Sequence, residues 1–403
     1  MGLFQRLISE AEASYSKVRI LPPEVAYRIA AGEVIERPAS AVKELVENAL
    51  DAGASRVEIE IEGAGSSLIR VSDDGWGMSP DDAENAVHHH ATSKISSAED
   101  LARVVSLGFR GEALHAISSV SALTLTTRER TSPRATRVRV LAGGPPECSP
   151  AAHPEGTTIE VRNLFMNLPV RRGFLGTERA ETNAVVTVVE SLALSRPGVG
   201  FFLRADGRSL LTLPAVGNLR ERIAQVHGLQ LAHSLVPLDE EDDLVWGFVS
   251  PFSVSFPTRR YVHVTVNGRV VDTDSFAPAI AKAYADLLPK GRHPAAFLRL
   301  ELGPGEVDVK RAPGEEGRPL EGRALGFPLV VGAIRSALSL EREEVGAAPP
   351  ADGDGELRPI GQFAGRCILI QLSTYKPPWA SLPRPPEQRH QRGALRAGGG
   401  LER

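Results

Sequence analysis

The segment Ser40 to Gly53, SAVKELVENALDAG, sets Val42, Leu45, Val46, Ala49 and Leu50 at helical spacing, which defines one buried stripe. Glu44, Asn48 and Asp51 then fall together on the opposite side, as a solvated polar face or as a set of groups aimed at a ligand. A second candidate is Asp73-Asp74-Gly75-Trp76-Gly77-Met78, whose glycines allow a backbone to approach a flat ligand closely, although Asp-Gly is also a common turn. Thr92-Ser93-Lys94 follows. Beyond it, Ser106-Leu107-Gly108-Phe109-Arg110-Gly111-Glu112-Ala113-Leu114 reads as a glycine-bracketed turn that opens a helix and offers free N–H groups to phosphate. Each motif alone is weak. His88-His89-His90 resembles a metal tract, but successive helical residues face different directions and no further ligand spacing lies nearby.

The elements that must position these groups follow from periodicity. Val57, Ile59 and Ile61 alternate with Glu58, Glu60 and Glu62, the pattern of a half-buried strand at a sheet edge or in an antiparallel pair, and a second strand is expected over Ser67 to Ser72. Helical and strand signals alternate from Lys17 to about residue 215, which favours one α/β domain. A second region shows a helix near Leu219 to Val226, strands at Leu244 to Ser250 and Tyr261 to Val266, and an Asn267-Gly268 turn into Arg269 to Asp272. Gly346 to Gly355 has linker composition, and beyond Gln371 the chain is rich in Pro, Arg and Gly, as disordered segments are.

The 403 residues carry 46 Lys+Arg against 50 Asp+Glu, a formal charge of −4, with 42% apolar residues. That composition fits two or three packed domains. No apolar run approaches a membrane span, and Arg6, Glu10, Glu12, Lys17 and Arg19 break any apolar leader, so a cytoplasmic protein is expected. Cys148 and Cys367 cannot make a disulfide framework. Ser255 to Leu300 holds seven Lys or Arg against three Asp, a local charge of +4 in an acidic chain.

Taken together and in this order, the motifs resemble the GHKL class of ATP-binding domains, shared by type II topoisomerases, ninety-kilodalton heat-shock chaperones, histidine kinases and MutL. The wording is similar to the MutL family in particular: Ile20 to Ala54, HATSKI at His90 to Ile95, SLGFRGEALHAISSV at Ser106 to Val120, GTTIEVRNLFMNLPVRRGFL at Gly156 to Leu175 and VNGRVV at Val266 to Val271. The resemblance implies a GHKL (Bergerat-type) ATPase α/β sandwich followed by a smaller α/β transducer domain of the ribosomal-protein-S5-like type. The expected boundaries are an N-terminal extension at 1–16, the ATP-binding domain at 17–216, the transducer at 217–340, a linker at 341–358 and a remnant of a C-terminal dimerisation domain at 359–403, largely disordered.

It further implies ATP and Mg²⁺ as ligands, with Glu44 as general base on the attacking water and Asn48 as the Mg²⁺ ligand. Asp73 would accept the adenine amino hydrogen bond, Gly75 and Gly77 would admit the ring, and Thr157 would reach the same base edge. Thr92, Lys94 and the turn formed by Gly108, Phe109, Arg110, Gly111 and Glu112 would cradle the phosphates. Implied partners are DNA, held nonspecifically through its backbone by a surface that includes Arg259, Arg260 and Arg269, a mismatch-recognition protein of the MutS type, and a second copy of the chain on ATP binding. The implied activity is that of an ATP-dependent clamp that couples mismatch recognition to strand incision.

The chain departs from the family after Val309. MutL proteins continue with a segment of the type NVHPxKxEVRF, whose lysine reaches the γ-phosphate, whereas this chain reads KRAPGEEGRP and places Glu315 at the lysine position. A carboxylate there repels phosphate. One permitted codon spelling of Lys310 to Leu320, read one base later, translates as NVHPAKKDVR, which points to a one-base insertion near Lys310 with the frame restored before Ala333. The chain also lacks an endonuclease motif of the DQHAxxE type. These departures raise a second reading, a nucleotide-binding module with little or no turnover.

Overall fold

The computed structural model describes residues 35–89, 91, 111–238, 244–285, 287–303, 321–346, 358–363 and 367–371. The expected N-terminal extension and the 310–320 segment lie outside the described residues. The chain divides into two units, Met1–Glu344 and Val345–Arg403.

The first sheet grows from the alternation seen in the sequence. In β1 (Arg56–Glu62), Val57, Ile59 and Ile61 are buried while the intervening glutamates point away. This strand pairs antiparallel with β2 (Leu68–Asp73) and parallel with β7 (Gly200–Ala205), so it lies inside the sheet rather than at an edge. The full order is β5-β4-β3-β6-β2-β1-β7-β8. The remaining strands are β3 (Ala122–Arg128), β4 (Ala135–Leu141), β5 (Glu147–Ala151), β6 (Gly156–Arg162) and β8 (Arg208–Leu213).

One face of this sheet packs on α1 (Pro38–Asp51), α3 (Ala113–Ser119) and α5 (Glu178–Ser195), with α2 (Pro80–Asn85) and α4 (Pro169–Gly173) as short connections. Pro38 at the first helical position suits α1, because its missing N–H would be unsatisfied there anyway. The stripe of Val42, Leu45, Val46 and Ala49 is buried in the same core as Ile59, Ile69, Val71 and Phe201.

The second sheet has the order β12-β11-β13-β10-β9, built from β9 (Val236–Pro237), β10 (Val245–Val249), β11 (Val262–Val266), β12 (Arg269–Val270) and β13 (Ala296–Leu300). All of β11 is buried, because α8 (Thr273–Ala283) and α9 (Glu321–Gly346) cover one face while α6 (Leu219–His227) and α7 (Leu229–Ser234) contribute to the core on the other. A strand covered on both faces loses the alternation of a half-buried one. Helix α9 continues through 341–346, so the first residues expected as linker are helical. In the second unit, β14 (Arg358–Phe363) and β15 (Cys367–Gln371) pair as an antiparallel hairpin.

Arginines bind the start of the second region to the first sheet. The fully buried Arg222 of α6 donates to the carbonyls of Leu213, Pro197 and Val199, at 3.2, 2.7 and 2.6 Å, and to Gln225 Oε1 at 2.7 Å. Burial lowers its pKa to about 10, which leaves it charged at neutral pH. Arg299 of β13 donates to the carbonyls of Leu194 and Ser195 at the end of α5. A helix C-terminus leaves such carbonyls without intrahelical partners, and a cation also complements its partial negative charge.

Replacing Arg222 by Met should strand several buried carbonyls and cost about 2–4 kcal/mol. Thermal denaturation should show a fall of several degrees in Tm, with Arg222→Lys intermediate because an ammonium lacks the planar fork.

Candidate functional site

Helix α1 is held at both ends. At its start, Arg37 makes two 3.0 Å hydrogen bonds to the buried Glu181 of α5, whose carboxylate also accepts from Gly176 N at 2.9 Å. At its end, the Ala52 carbonyl accepts from Trp76 N at 3.0 Å, which ties the helix to the loop after β2. Lys43 lies 3.4 Å from Glu47 and 4.0 Å from Glu44. Glu44 is half-buried on this helix, one turn before Asn48.

Asp73 ends β2, paired in register with Val57 and with Thr157. Its Oδ1 accepts from Gly75 N at 2.9 Å, and the Thr157 backbone N–H also donates to the carboxylate. Burial raises its pKa to about 6, with those two donors acting against the rise and neighbouring Asp74 adding to it. Asp74 itself turns away and accepts from the backbone N–H groups of Ser55 and Arg56, at 2.8 and 2.9 Å, a structural role.

The glycines mark close backbone approach. A Cβ on Gly77, at φ +68, would lie 2.0 Å from the Arg128 carbonyl oxygen, and one on Gly75 would lie 2.7 Å from that of Ala52. Gly156, at φ +110, lies so near β2 that a Cβ would meet the Asp73 carbonyl oxygen at 2.0 Å. These positions accept only glycine, so the floor around Asp73 is backbone.

Thr157 is buried, with its hydroxyl 2.9 Å from that of Thr127, and Thr127 in turn donates to the Gly156 carbonyl and accepts from Met78 N. Thr127 has one proton, so Thr157 must donate to it. The Thr157 oxygen thereby keeps lone pairs to accept from a ligand amino group or a water. Thr127 escaped the sequence reading because a threonine on a strand carries no distinctive spacing.

Thr92, Lys94, Gly108, Phe109 and Arg110 lie outside the described residues. The neighbouring ends of those two motifs do meet, since a Cβ on Gly111, at φ +62, would lie 2.5 Å from the Ala91 carbonyl oxygen. Glu112 occupies the N-cap position of α3.

Glu47 was missed as well. It is 6% exposed on α1, and burial raises its pKa to about 7, opposed by Lys43. Nearby Glu44 and Asp51 add to the rise. Only its i, i+4 spacing from Lys43 and its place beside Glu44 could have suggested it.

The residues of the expected basic surface meet different partners. Arg259 pairs with Asp274 at 2.8 Å, and Arg260 lies within electrostatic reach of Glu190 and His227. Arg269 is half-buried on the hairpin, and its principal electrostatic neighbours are Glu47 and Asp51 of α1. Arg299 is taken up by α5 carbonyls and Arg292 by Ser255. The structure therefore gives Arg269 an environment different from that of Arg259 and Arg260. The cause is strand β12, whose Val270 packs against the first core and carries Arg269 towards α1.

Among the described residues, no helix is long and apolar enough to cross a membrane and no three His, Cys, Asp or Glu side chains are grouped to hold a metal.

Residues 35–142 match the family model described as histidine kinase-, DNA gyrase B- and HSP90-like ATPase, and residues 223–336 match that of the DNA mismatch repair protein, C-terminal domain. Among curated relatives, DNA mismatch repair protein MutL of Anaeromyxobacter dehalogenans is 42% identical over 381 residues, which covers 92% of this chain and 61% of the relative. The chain thus spans about three-fifths of the length of that relative. The crystal structure of the N-terminal domain of a DNA repair protein superposes with a TM-score of 0.66 at 26% identity, covering 79% of this chain and 99% of that one. The Aquifex aeolicus MutL ATPase domain complexed with ADP gives a TM-score of 0.50 at 29% identity, covering 75% and 98%. A GHKL-type α/β sandwich and a second α/β sheet region, each matched by a family model, together with a MutL relative 42% identical over 92% of this chain, place this chain in the MutL family of the GHKL superfamily.

Proposed function

We propose that the chain is the ATP-binding and ATP-hydrolysing part of a mismatch-repair clamp, in which nucleotide binding drives dimerisation of N-terminal regions and is sensed by DNA and a MutS-type protein. The observation that carries this reading is the buried Asp73 carboxylate, set on a backbone floor that only glycine can form and served by a threonine oxygen left free to accept. Such a carboxylate suits the exocyclic amine of adenine. The family membership and the resemblance to an ADP-bound ATPase domain support it.

In this reading Asp73 and Thr157 hold the adenine edge while Gly75 and Gly77 let the ring approach. Thr92, Lys94 and the turn from Gly108 through Phe109, Arg110 and Gly111 to Glu112 take the phosphates. Glu44 orients and deprotonates water from the solvent-facing side of α1. Asn48, a neutral oxygen donor one turn further on, would hold Mg²⁺, which when bound neutralises phosphate charge.

These roles separate in mutants. Glu44→Ala should leave nucleotide affinity within a few-fold and lower hydrolysis by about 10²-fold or more. Asp73→Asn should instead weaken nucleotide binding by roughly 1.5–3 kcal/mol. Equilibrium binding of a fluorescent ATP analogue beside phosphate release distinguishes them, and equal loss of affinity in both would sink the assignment.

The site should also respond to pH. The ionised form of Asp73 is the one that accepts from adenine, so affinity should hold above pH 6 and fall about tenfold per unit below it, and Asp73→Asn should abolish that dependence. The effect on folding has the opposite sign. A raised carboxylate pKa contributes stability that is present at pH 4 and lost as pH rises through about 6. Titrating analogue affinity and Tm from pH 4 to 8, with Asp73→Asn as the reference that leaves out Glu47, checks both signs.

The second reading, a nucleotide-binding module with little turnover, is favoured by Glu315 at the position of the family's γ-phosphate lysine. A preorganised charge of this kind is typically worth ~10²- to 10³-fold in rate. Exchanging Lys310 to Pro319 for NVHPAKKDVR should raise single-turnover hydrolysis at least tenfold and leave analogue affinity nearly unchanged. Identical rates before and after the exchange, with Glu44 still required, would show that the charge comes from elsewhere.

A further inference from the structure

The face of the first sheet opposite α1 carries an ordered array of charges. In register across β4, β3, β6, β2 and β1, one row runs Arg139, Thr124, Glu160, Arg70, Glu60 and the next runs Arg137, Thr126, Thr158, Ser72, Glu58. The two halves of this face differ in how their charges are spent. On β1 and β2, Arg70 is shared between Glu60 and Glu160, and Arg56 pairs with Glu58. On β4, neither Arg137 nor Arg139 has a carboxylate within ion-pair distance among the described residues, although Glu147 lies opposite Arg139 on the edge strand. Arg162 of β6 flanks the same area and reaches Glu160 at 3.3 Å, a carboxylate already held by Arg70 at 2.8 Å.

These residues line an open groove of about 400 Å³ floored by threonines. Among the described lining residues three guanidinium groups meet one carboxylate, already held by Arg70, so they make the groove electropositive in an acidic chain. Strand geometry puts Arg137 about 7 Å from Arg139 along β4, and Arg162 about 12 Å from Arg139 two strands across. Side chains anchored over that span can each meet a different phosphate along a backbone. Threonine hydroxyls are common phosphate-oxygen donors. Among the described residues no aromatic ring lines the groove, so none of them would stack on an unpaired base.

We propose that Arg137, Arg139 and Arg162, with the threonine floor of this groove, form a sequence-independent contact surface for the phosphate backbone of duplex DNA. The inference rests on the reading of the chain as a DNA-responsive ATPase and places a DNA contact on the open sheet face, apart from Arg259, Arg260 and Arg269. These arginines stand on the face away from Asp73 and α1, so removing them leaves the nucleotide groups in place.

The test is fluorescence anisotropy of the full chain with a labelled duplex of mixed sequence, across a salt series, beside binding of the fluorescent ATP analogue. Each neutralised phosphate contributes about 0.9 to the slope of log K against log salt. Arg137→Ala/Arg139→Ala/Arg162→Ala should therefore reduce that slope by about 2–3, with analogue affinity unchanged. Arg137→Lys/Arg139→Lys should keep the slope, since a point charge still neutralises phosphate, and this separates contact from misfolding. An unchanged slope in the triple Ala variant while the wild type binds overturns the surface alone, and a reduced slope in Arg259→Glu/Arg260→Glu instead would return the contact to the second sheet. Displacement of the duplex by millimolar inorganic phosphate would show a simple anion site, and preference for polyglutamate would show an acidic protein partner, either of which overturns it. A wild type that binds the analogue but no duplex overturns both this inference and the DNA part of the functional reading, leaving the ATPase reading intact.

Discussion

The position of α1 is the constraint on which the site depends. A helix packed only by its apolar stripe can slide or roll by fractions of a turn at modest cost, because hydrophobic contact has no direction. Here the two 3.0 Å bonds from Arg37 to Glu181 fix the start of the helix, and the hydrogen bond from Trp76 to the Ala52 carbonyl fixes its end. The same loop that supplies Trp76 supplies Gly75, whose N–H orients Asp73. Glu44 and Asp73 come from different elements, yet their relative placement is determined through one short chain of directional bonds.

The packing around α1 has a cost in buried charge. Glu181 and Glu47 are both buried, and they are treated differently. Glu181 meets a bidentate guanidinium and a backbone N–H, so its carboxylate is well served. Glu47 has Lys43 at 3.4 Å as its near cation, and burial raises its pKa to about 7. A carboxyl that titrates near neutrality, on the helix that bears Glu44, changes the field at Glu44 as it ionises.

Much of the first domain could be read from the sequence because its burial is one-sided. Alternation in Val57 to Glu62 and the 3.6-residue stripe in Val42 to Leu50 each record a single buried face, and both elements form where expected. The glycines of the Asp73 loop were legible for a related reason, since backbone contact leaves glycine as the only tolerated residue. What stayed hidden were polar groups whose partners are distant carbonyls. Arg222 and Arg299 look like surface cations in sequence, but their guanidinium groups are consumed by Leu213, Pro197, Val199, Leu194 and Ser195. Within Ser255 to Leu300 the charge count did not separate Arg299, which folds inward, from Arg259 and Arg260, which stay exposed.

Those inward arginines explain how the two sheets in the first unit are joined. Apolar contact between the sheet regions would tolerate a range of angles, but Arg222 and Arg299 bind specific carbonyls at the ends of β8, α5 and the turn after it. Arg269 adds an electrostatic link from the β12 hairpin to Glu47 and Asp51. The connection therefore reaches the C-terminal half of the helix that carries Asn48, and it does so with charge. Any change in charge at α1, whether from ionisation of Glu47 or from an anion near Asn48, alters the field at Arg269. The hairpin of the second sheet is thereby placed where it can respond to charge on α1 without touching Asp73 or the glycine floor.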